Sequence, residues 1–259
     1  MMEFQWKTTK SFIINKNIKI HRLTKVQWLQ KMMKYYFDLL SQPSRALWIF
    51  LKMTKVPVEF VKVDLGKAEH LSDNFKEINR FQKVPCIVDT DGFKLSESVA
   101  IFRYITSLNE VPENWYPKDI KSRALIDEYL EYQHNSVRLP CAMYFQSKWL
   151  IPKFSGNPPN EKKVASYKKL MEQSLNTLET VWLESADKKF LASNEISFAD
   201  ILAACELEQP KMAWYDPFDG RPRLKSWYDR VRNATNPFYD EAHVVVQKII
   251  EKNGKLAKL

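Results

Sequence analysis

The sequence predicts an α/β N-terminal domain with a mixed four-stranded sheet and helices, followed by an all-α C-terminal domain. Two observations lead to this fold class. Over residues 34–109, short segments rich in aromatic and branched residues alternate with apolar helical segments, at lengths suited to a right-handed βαβ unit followed by a ββα unit. Beyond residue 117 the periodicity is helical throughout. Between them, residues 110–117 contain two prolines and two aromatic residues, which indicates a linker.

The N-terminal domain divides into four strands and three helices. The strands are predicted at 34–39, 58–63, 84–88 and 93–95. The first helix begins near Pro43, because proline is favoured in the first turn of a helix. A short helix is expected within 70–79, and another runs from Glu97 to about residue 108. The last two strands form a hairpin, since Asp91-Gly92 between them is a typical turn. This order of elements is typical of a thioredoxin-like domain.

Five helices are predicted in the C-terminal domain. They cover residues 120–149, 161–183, 198–208, 224–231 and 239–250. Proline removes a backbone donor and clashes with the preceding turn, so interruptions are expected at Pro152, at Pro158-Pro159 and at Pro210. Ser197 and Asp200 have the spacing of an N-terminal capping box and are therefore predicted to begin the third of these helices.

The distribution of charge argues against a nucleic-acid-binding protein. The chain has 259 residues and a formal net charge of +9. Residues 1–34 hold eight lysines and arginines against one glutamate, a net charge of +7, which leaves +2 for the remainder. A body so close to neutral has no general attraction to phosphate backbones. No apolar run approaches the roughly 20 residues of a membrane span, and we expect a cytoplasmic protein without nucleic-acid or membrane partners.

Cysteine and histidine usage gives no sign of a disulfide framework or a metal site. The cysteines are scattered, and so are the histidines: Cys86, Cys141 and Cys205; His21, His70, His134 and His243. No pair has metal-ligand spacing, so we predict no metal. The absence of a cysteine framework is typical of a reducing compartment.

Residues 1–33 are predicted to be a basic, disordered extension. They show no strong apolar period, and with only Arg22 and Ser11 they make a poor mitochondrial presequence. A dispensable extension, a start placed upstream of Met32 or Met33, and a targeting segment all remain open. The predicted organisation is therefore an extension at 1–33, a thioredoxin-like domain at 34–109, a linker at 110–117 and a helical domain at 118–259.

Ser41 stands where the first strand turns into the first helix. A hydroxyl at this position faces the positive end of the helix dipole and can donate a hydrogen bond to an anion such as a thiolate. An ordinary helix-capping role is the alternative for a serine at such a boundary. Downstream, Val84-Pro85 and Glu97-Ser98 are groups commonly used to bind a peptide-like ligand that carries a thiol. The three groups together indicate chemistry on a thiol.

With these elements in order, the chain resembles the cytosolic glutathione transferases, most closely the theta class. The resemblance extends from about residue 34 to about residue 242. It rests on segments 36–46, 63–65 with 70–72, 83–85, 95–101, 115–117, 127–130 with 133–134, 196–200 and 220–224. So many matches in one order are highly specific for the family.

The resemblance implies an enzyme that conjugates the glutathione thiolate to hydrophobic electrophilic small molecules, with glutathione as co-substrate and no other cofactor. Glutathione peroxidase activity on organic hydroperoxides and a homodimer are further expectations. The alternative is a non-catalytic ligand-binding or interaction protein with the same fold. A thiol oxidoreductase is disfavoured, because that chemistry needs a cysteine where Ser41 stands.

The resemblance also assigns roles to individual residues. Ser41 is the expected catalytic residue, donating a hydrogen bond to the glutathione sulfur. Val84, held by a cis bond before Pro85, is expected to exchange main-chain hydrogen bonds with the cysteinyl part of glutathione. Glu97 is expected to bind the γ-glutamyl ammonium, while Ser98 and its helix N-terminus bind the neighbouring carboxylate.

Further contacts are implied around the same ligand. His70 and Lys83 are expected at the glycyl carboxylate, whereas Gln42 and Arg138 are candidates for contacts with the ligand or its sulfur. Four aromatic residues are expected either to line the site of the second substrate or simply to pack in the core: Tyr144, Trp149, Trp214 and Phe238.

Two departures from the family pattern carry expectations of their own. Ser193 replaces a usual glycine, which raises the expectation of an unfavourable loop backbone at that position. The chain ends soon after Ile250. That short C-terminus implies a more open electrophile site than in the vertebrate theta enzymes.

Overall fold

The computed structural model describes residues 32–185 and 187–256. The predicted disorder of residues 1–31 falls outside this range. The sheet has the strand order β2-β1-β3-β4, with β1 at Met33–Phe37, β2 at Val58–Lys62, β3 at Cys86–Val88 and β4 at Lys94–Ser96. Strand β1 is parallel to β2 and antiparallel to β3, and β3 is antiparallel to β4. The predicted mixed four-stranded sheet is confirmed.

Three α-helices accompany the sheet: α1 at Gln42–Thr54, α2 at Asp73–Ile78 and α3 at Ser98–Leu108. Helix α1 packs on the sheet with every residue from Ser44 to Leu51 buried. The predicted hairpin turn is present, with Gly92 at φ 90° between β3 and β4. Two short 3₁₀ turns, Leu65–Lys67 and Glu69–Leu71, precede α2.

Strand β1 ends two residues earlier than predicted, because Asp38 organises a turn. Its buried carboxylate accepts a hydrogen bond from the backbone of Leu40 at 2.8 Å and another from the backbone of Leu65 at 2.9 Å. The chain therefore leaves the sheet at Asp38 and enters a tight loop that leads to Ser41. The strand also begins one residue earlier, at Met33, so the expectation of disorder is wrong for that residue.

The second part of the described chain is helical. The α-helices are α4 at Ile120–Gln133, α5 at Leu139–Phe145, α6 at Ile151–Ser155, α7 at Glu161–Thr177, α8 at Phe198–Met212, α9 at Pro222–Thr235 and α10 at Phe238–Leu256. The π-helical segments His134–Arg138 and Gln146–Leu150 join α4, α5 and α6 into one continuous helical run, and Leu178–Trp182 extends α7. The predicted all-α second part is confirmed.

The predicted interruption at Pro152 is wrong. The π-helical segment 146–150 runs directly into α6, and Ile151 donates its N–H to the carbonyl five residues back. A π turn is wider than an α turn, which gives the ring of Pro152 room beside the preceding turn. The helix ends instead at Gly156, whose φ is 71°. The predicted break at Pro158-Pro159 is confirmed, since residues 156–160 are not helical.

The predicted interruption at Pro210 is also wrong, because α8 continues to Met212. A proline inside a helix costs about 3 kcal/mol. Helix α8 offsets this cost by burial: all its residues except Lys211 are buried, and one fully buried aliphatic side chain contributes about 1.5–3 kcal/mol. Tertiary packing therefore overrides the local signal.

The capping box at the start of α8 is confirmed. Asp200 accepts hydrogen bonds from both the backbone N–H and the hydroxyl of Ser197, each at 2.9 Å. Its other oxygen accepts from the backbone of Leu191 at 2.8 Å and from the indole of Trp227 at 2.9 Å. Burial raises the pKa of this carboxyl group. Asp200 thus connects the start of α8 to α9 and to the preceding loop.

The expectation that the loop has an unfavourable backbone at Ser193 is not supported. Its φ is not among the positive values of the described non-glycine residues, and its hydroxyl accepts a hydrogen bond from the backbone of Glu195 at 3.1 Å. The loop before α8 therefore accommodates serine without a left-handed backbone. No helix in the described ranges combines the length and apolar character required to cross a bilayer.

Candidate functional site

A cavity of about 590 Å³ lies beside the loop that follows β1, with α5, α6, α8 and α10 contributing to its wall. Seven of the residues singled out from the sequence line it: Ser41, Gln42, His70, Lys83, Val84, Arg138 and Trp149. Glu97 and Ser98 are not part of the lining. They lie at the start of α3, and Ser98 connects to the cavity through Arg138.

Ser41 is the N-cap residue of α1. Its hydroxyl oxygen accepts a hydrogen bond from the backbone N–H of Ser44 at 3.4 Å and lies 3.3 Å from the carbonyl oxygen of Val84, to which it donates. The next peptide bond, Val84–Pro85, is cis. The capping role and a role towards a ligand are therefore compatible, because the oxygen caps the helix while its proton can be redirected to an anion in the cavity.

Arg45 anchors the loop that carries Ser41. Its fully buried guanidinium donates to the carbonyl of Leu39 at 2.8 Å and to that of Leu40 at 3.3 Å. The same group reaches α8, where it donates to the carbonyl of Cys205 at 3.0 Å and to the side-chain oxygen of Gln209 at 2.9 Å. The sequence analysis missed this role. The sequence signal that could have revealed this role is that Arg45 is a single charged residue at the start of an apolar helical segment.

Glu97 adopts an uncommon backbone conformation at the N-cap of α3, with φ 71° and ψ 115°. A positive φ costs a non-glycine residue on the order of 1–3 kcal/mol and is found most often at functional sites. The Glu97 side chain is exposed and makes no capping hydrogen bond to α3. An ordinary capping role therefore does not explain this residue, whereas Ser98 is buried in the first turn.

Glu97→Gln is expected to weaken the binding of an ammonium-bearing ligand while leaving stability nearly unchanged. A hydrogen bond to a charged group is worth about 1.5–3 kcal/mol, so affinity for glutathione should fall by roughly tenfold or more. Calorimetric titration with glutathione measures this change. Glu113→Gln is a matched control, since Glu113 is exposed and ion-paired to Lys118 away from the cavity. Equal affinities of parent and Glu97→Gln would show that Glu97 does not contact the ligand.

Arg138 ends the first π-helical segment and extends into the cavity. Its Nε donates to a carboxylate oxygen of Glu206 at 2.8 Å, and Glu206 is fully buried in α8. Its Nη2 lies 3.5 Å from the hydroxyl of Ser98. The guanidinium is thus held between α8 and the start of α3. Glu206 is a residue that the sequence analysis did not single out.

Glu206→Gln is expected to lower turnover through Arg138 while binding of glutathione stays closer to that of the parent. The amide oxygen can still accept from Arg138, but the charge that fixes the guanidinium is lost, which reduces a charge-assisted hydrogen bond to a neutral one. We expect a loss of roughly tenfold in kcat. The double variant Glu206→Gln/Arg138→Ala should then have the same kcat as Arg138→Ala alone. If the two losses in kcat were additive, the two residues would not act through a shared role.

His70 and Lys83 face the cavity from the opposite wall. The Nδ1 atom of His70 is buried and has no hydrogen-bond partner among the described residues. The backbone carbonyl of Lys83 accepts from the side chain of Asn79 at 2.7 Å, while the Lys83 side chain is exposed. These two groups provide donors for an anion on this side of the cavity.

Of the four aromatic residues considered for the second substrate, only Trp149 lines the cavity. Tyr144 packs edge-on against Tyr215, and Phe238 packs against Trp48. Trp214 is half exposed and lies in a different surface groove. For these three residues the substrate-wall alternative is wrong in this structure.

The apolar wall comes mainly from the continuous helical run α5–α6, and apart from Trp149 its members were missed by the sequence analysis. Its members are Ala142, Phe145, Trp149, Leu150 and Phe154, with Met212 from α8 and Ile249 from α10. The signal was the spacing of three or four residues, which places these side chains on one helix face. The presence of Ile249 shows that α10 contributes to the wall.

The three cysteines do not provide a nucleophile. All are free and buried. Burial raises the pKa of Cys86 and of Cys205 to about 12, and raises that of Cys141 further. They are therefore protonated thiols at neutral pH, which argues against a thiol oxidoreductase. Within the described ranges, no group of three or more histidine, cysteine, aspartate or glutamate residues is placed to hold a metal ion.

Comparisons with known proteins agree with this architecture. Residues 32–107 match the family Glutathione S-transferase, N-terminal domain, and residues 140–234 match Glutathione S-transferase, C-terminal domain. Glutathione S-transferase theta-1 of Bos taurus is 42% identical over 217 residues, which cover 83% of this chain and 89% of that protein. Glutathione S-transferase T1 of Arabidopsis thaliana is 38% identical, with 85% and 91% covered.

Comparison with solved structures also finds similarity to glutathione transferases. Human glutathione-S-transferase T1-1 in its apo form superposes with a TM-score of 0.80 at 41% identity, covering 85% of this chain and 91% of that one. A human theta-class enzyme in complex with the glutathione conjugate of 1-menaphthyl sulfate superposes with a TM-score of 0.80 at 36% identity, covering 87% and 91%. On these sequence and structural matches, the chain belongs to the glutathione S-transferase family, in its theta class.

Proposed function

We propose that Ser41 is the catalytic residue of this glutathione transferase and that it acts by holding the glutathione sulfur as a thiolate. The chain is an enzyme that joins glutathione to electrophilic small molecules. In the proposed step the thiolate attacks an electrophilic carbon, the carbon–sulfur bond forms, and the leaving group departs with the electrons of its former bond. The thiol proton goes to solvent. A hydrogen bond from the Ser41 hydroxyl stabilises the thiolate, so a larger fraction of a thiol whose pKa starts near 8.5 is ionised at neutral pH.

The observation that carries this proposal is the position of the Ser41 hydroxyl. It lies on the cavity wall, at the positive end of α1, and 3.3 Å from the carbonyl of Val84. A ligand whose main chain pairs with Val84 would bring its thiol within reach of this hydroxyl. The helix dipole adds a favourable interaction with the resulting negative charge.

The remaining residues are proposed to hold the rest of glutathione. Val84, presented by the cis bond to Pro85, pairs with the cysteinyl part. Glu97 binds the γ-glutamyl ammonium, and the hydroxyl of Ser98 with the start of α3 binds its carboxylate. His70 and Lys83 bind the glycyl carboxylate on the other side. Gln42 contacts the ligand at the start of α1, and Arg138 lies near the sulfur.

A panel of substrates tests this function. Alkyl halides, an aromatic halide and organic hydroperoxides are each assayed with glutathione, the last because the same thiolate could reduce a peroxide. Saturable conjugation of at least one halide supports the proposal. Retention on immobilised glutathione without turnover of any substrate would favour the alternative, a non-catalytic ligand-binding or interaction protein with this fold.

We also propose that the protein is a cytoplasmic homodimer and that residues 1–32 take no part in the interface. Closed two-fold dimers are the commonest soluble assemblies, and three free cysteines accord with a reducing compartment. A chain that begins at Met33, the first residue of β1, should remain a dimer by light scattering, with a mass lower only by the removed residues, and should keep its activity and nearly its melting temperature. A monomeric or inactive shortened chain would contradict this, and fractionation of cells tests the location.

A further inference from the structure

The charges that line the cavity are unbalanced. No aspartate or glutamate is among the lining residues, which include Lys83, Arg138, Lys153 and His70. The charge of Arg138 is compensated by Glu206 at 2.8 Å. Under the proposed function, Lys83 and His70 face a carboxylate of glutathione. Within the part of the chain that the structure describes, Lys153 is left as a cation on the wall without a counter-charge.

Lys153 is not among the residues proposed to hold glutathione. It belongs to α6, and its ammonium lies 4.4 Å from the centre of the Trp149 ring, which also lines the cavity. Among the described residues Lys153 forms no ion pair. By contrast, Lys148, one turn earlier on the same helical run, is paired with Glu161 at 3.6 Å and is not part of the lining.

The distance along the helix limits the shape of a ligand that reaches this cation. Arg138 and Trp149 are eleven residues apart on one continuous helical run, which corresponds to about 16 Å at 1.5 Å per residue. Between them the helical run presents Ala142 and Phe145 to the cavity, with Gln146 as the one polar side chain among the lining residues of that stretch. A ligand that extends from the sulfur to Lys153 must therefore be long and largely apolar.

We infer that the second substrate is an elongated amphipathic electrophile with its reactive carbon at one end and an anionic group at the other, and that Lys153 selects it by binding the anion. This inference rests on the proposed function. An apolar chain gains affinity from burial along the α5–α6 wall. The anion gains a pairing with the ammonium of Lys153, an exposed side chain that lies over the Trp149 ring on the cavity wall.

The test uses ω-bromododecanoate and its neutral counterpart ω-bromododecanamide, together with the shorter ω-bromobutyrate and its amide. In each reaction the carbon–sulfur bond forms while bromide leaves with the bonding electrons. The measured quantity is the ratio of kcat/KM for acid over amide. The ratio cancels the intrinsic reactivity of the bromide and any general effect of a variant on turnover.

Lys153→Gln is expected to lower this ratio about threefold for the dodecanoyl pair, the size typical of a partly exposed ion pair. Lys153→Glu should lower it about tenfold because the charge is reversed, and Lys153→Arg should restore the parent ratio. The ratio for the butyryl pair should not change, since the short chain does not reach Lys153. Lys148→Gln removes the same charge outside the cavity and should leave both ratios unchanged.

Binding provides a readout that does not depend on turnover. Calorimetry with unreactive dodecanoate and dodecanamide should show an approximately threefold loss of affinity in Lys153→Gln for the acid alone. Equal acid-to-amide ratios for the dodecanoyl pair in the parent, in Lys153→Gln and in Lys153→Glu, while bromopropane is still conjugated, would overturn this inference and leave the proposed function standing. Absence of conjugation of bromopropane and of all four bromides would overturn the proposed function, and the substrate assignment with it.

Discussion

Ser41→Ala is expected to lower kcat by about 10²–10³, the loss that follows removal of one oriented donor to a developing or bound anion in a water-poor site. Glutathione affinity should change far less, because the hydroxyl acts on the charge of the sulfur and not on the rest of the ligand. The pH–rate profile should move to higher pH, since the bound thiol then ionises closer to its ordinary pKa of about 8.5. Steady-state kinetics over a range of pH measures both effects.

Ser41 also caps α1, so its removal is expected to destabilise the protein by about 1 kcal/mol. Ser72→Ala separates this effect from catalysis. Ser72 is the N-cap of α2, accepts from the backbone of Phe75 at 3.2 Å and does not line the cavity. It should show a similar loss of stability with unchanged kcat. An equal and small fall in kcat for both variants would mean that Ser41 is a structural cap only.

Asp200→Ala is expected to reduce the free energy of unfolding by about 3–5 kcal/mol. The substitution removes the acceptor for four donors in the core: the backbone N–H groups of Leu191 and Ser197, the hydroxyl of Ser197 and the indole of Trp227. Each buried donor left unpaired costs about 1–3 kcal/mol. Such a loss is a large fraction of a typical stability of 5–15 kcal/mol. Urea denaturation followed by tryptophan fluorescence measures it.

Two further variants keep this prediction testable if Asp200→Ala fails to fold. Trp227→Phe keeps an aromatic ring but removes the indole N–H and part of the buried ring volume, so at least about 1–2 kcal/mol should be lost. Asp229→Ala is the control. Asp229 is exposed and pairs only with Lys225 on the surface of α9, and such pairs contribute at most about 1 kcal/mol. A loss for Asp200→Ala no greater than that for Asp229→Ala would show that the capping network is not important for stability.

The sequence by itself determined the elements whose causes are local. Short segments rich in aromatic and branched residues indicated the four strands, Asp91-Gly92 indicated the hairpin, and Ser197 with Asp200 indicated the start of α8. The spacing of apolar residues set the helical second part. These features depend on residues within a few positions of one another, so they can be read without knowing what packs against them. The segments around Ser41, Val84 and Glu97 identified the family for the same reason.

The tertiary structure alone decided how the site is supported and how its walls are built. Arg45 fixes the Ser41 loop through Gln209, and Glu206 holds Arg138; these partners are 164 and 68 residues apart in the chain. Trp149 lines the cavity while Trp214 does not. The continuity of α8 through Pro210 depends on burial against neighbouring helices. All of these outcomes depend on contacts between distant residues, whose free energy exceeds the local preferences that a sequence pattern records.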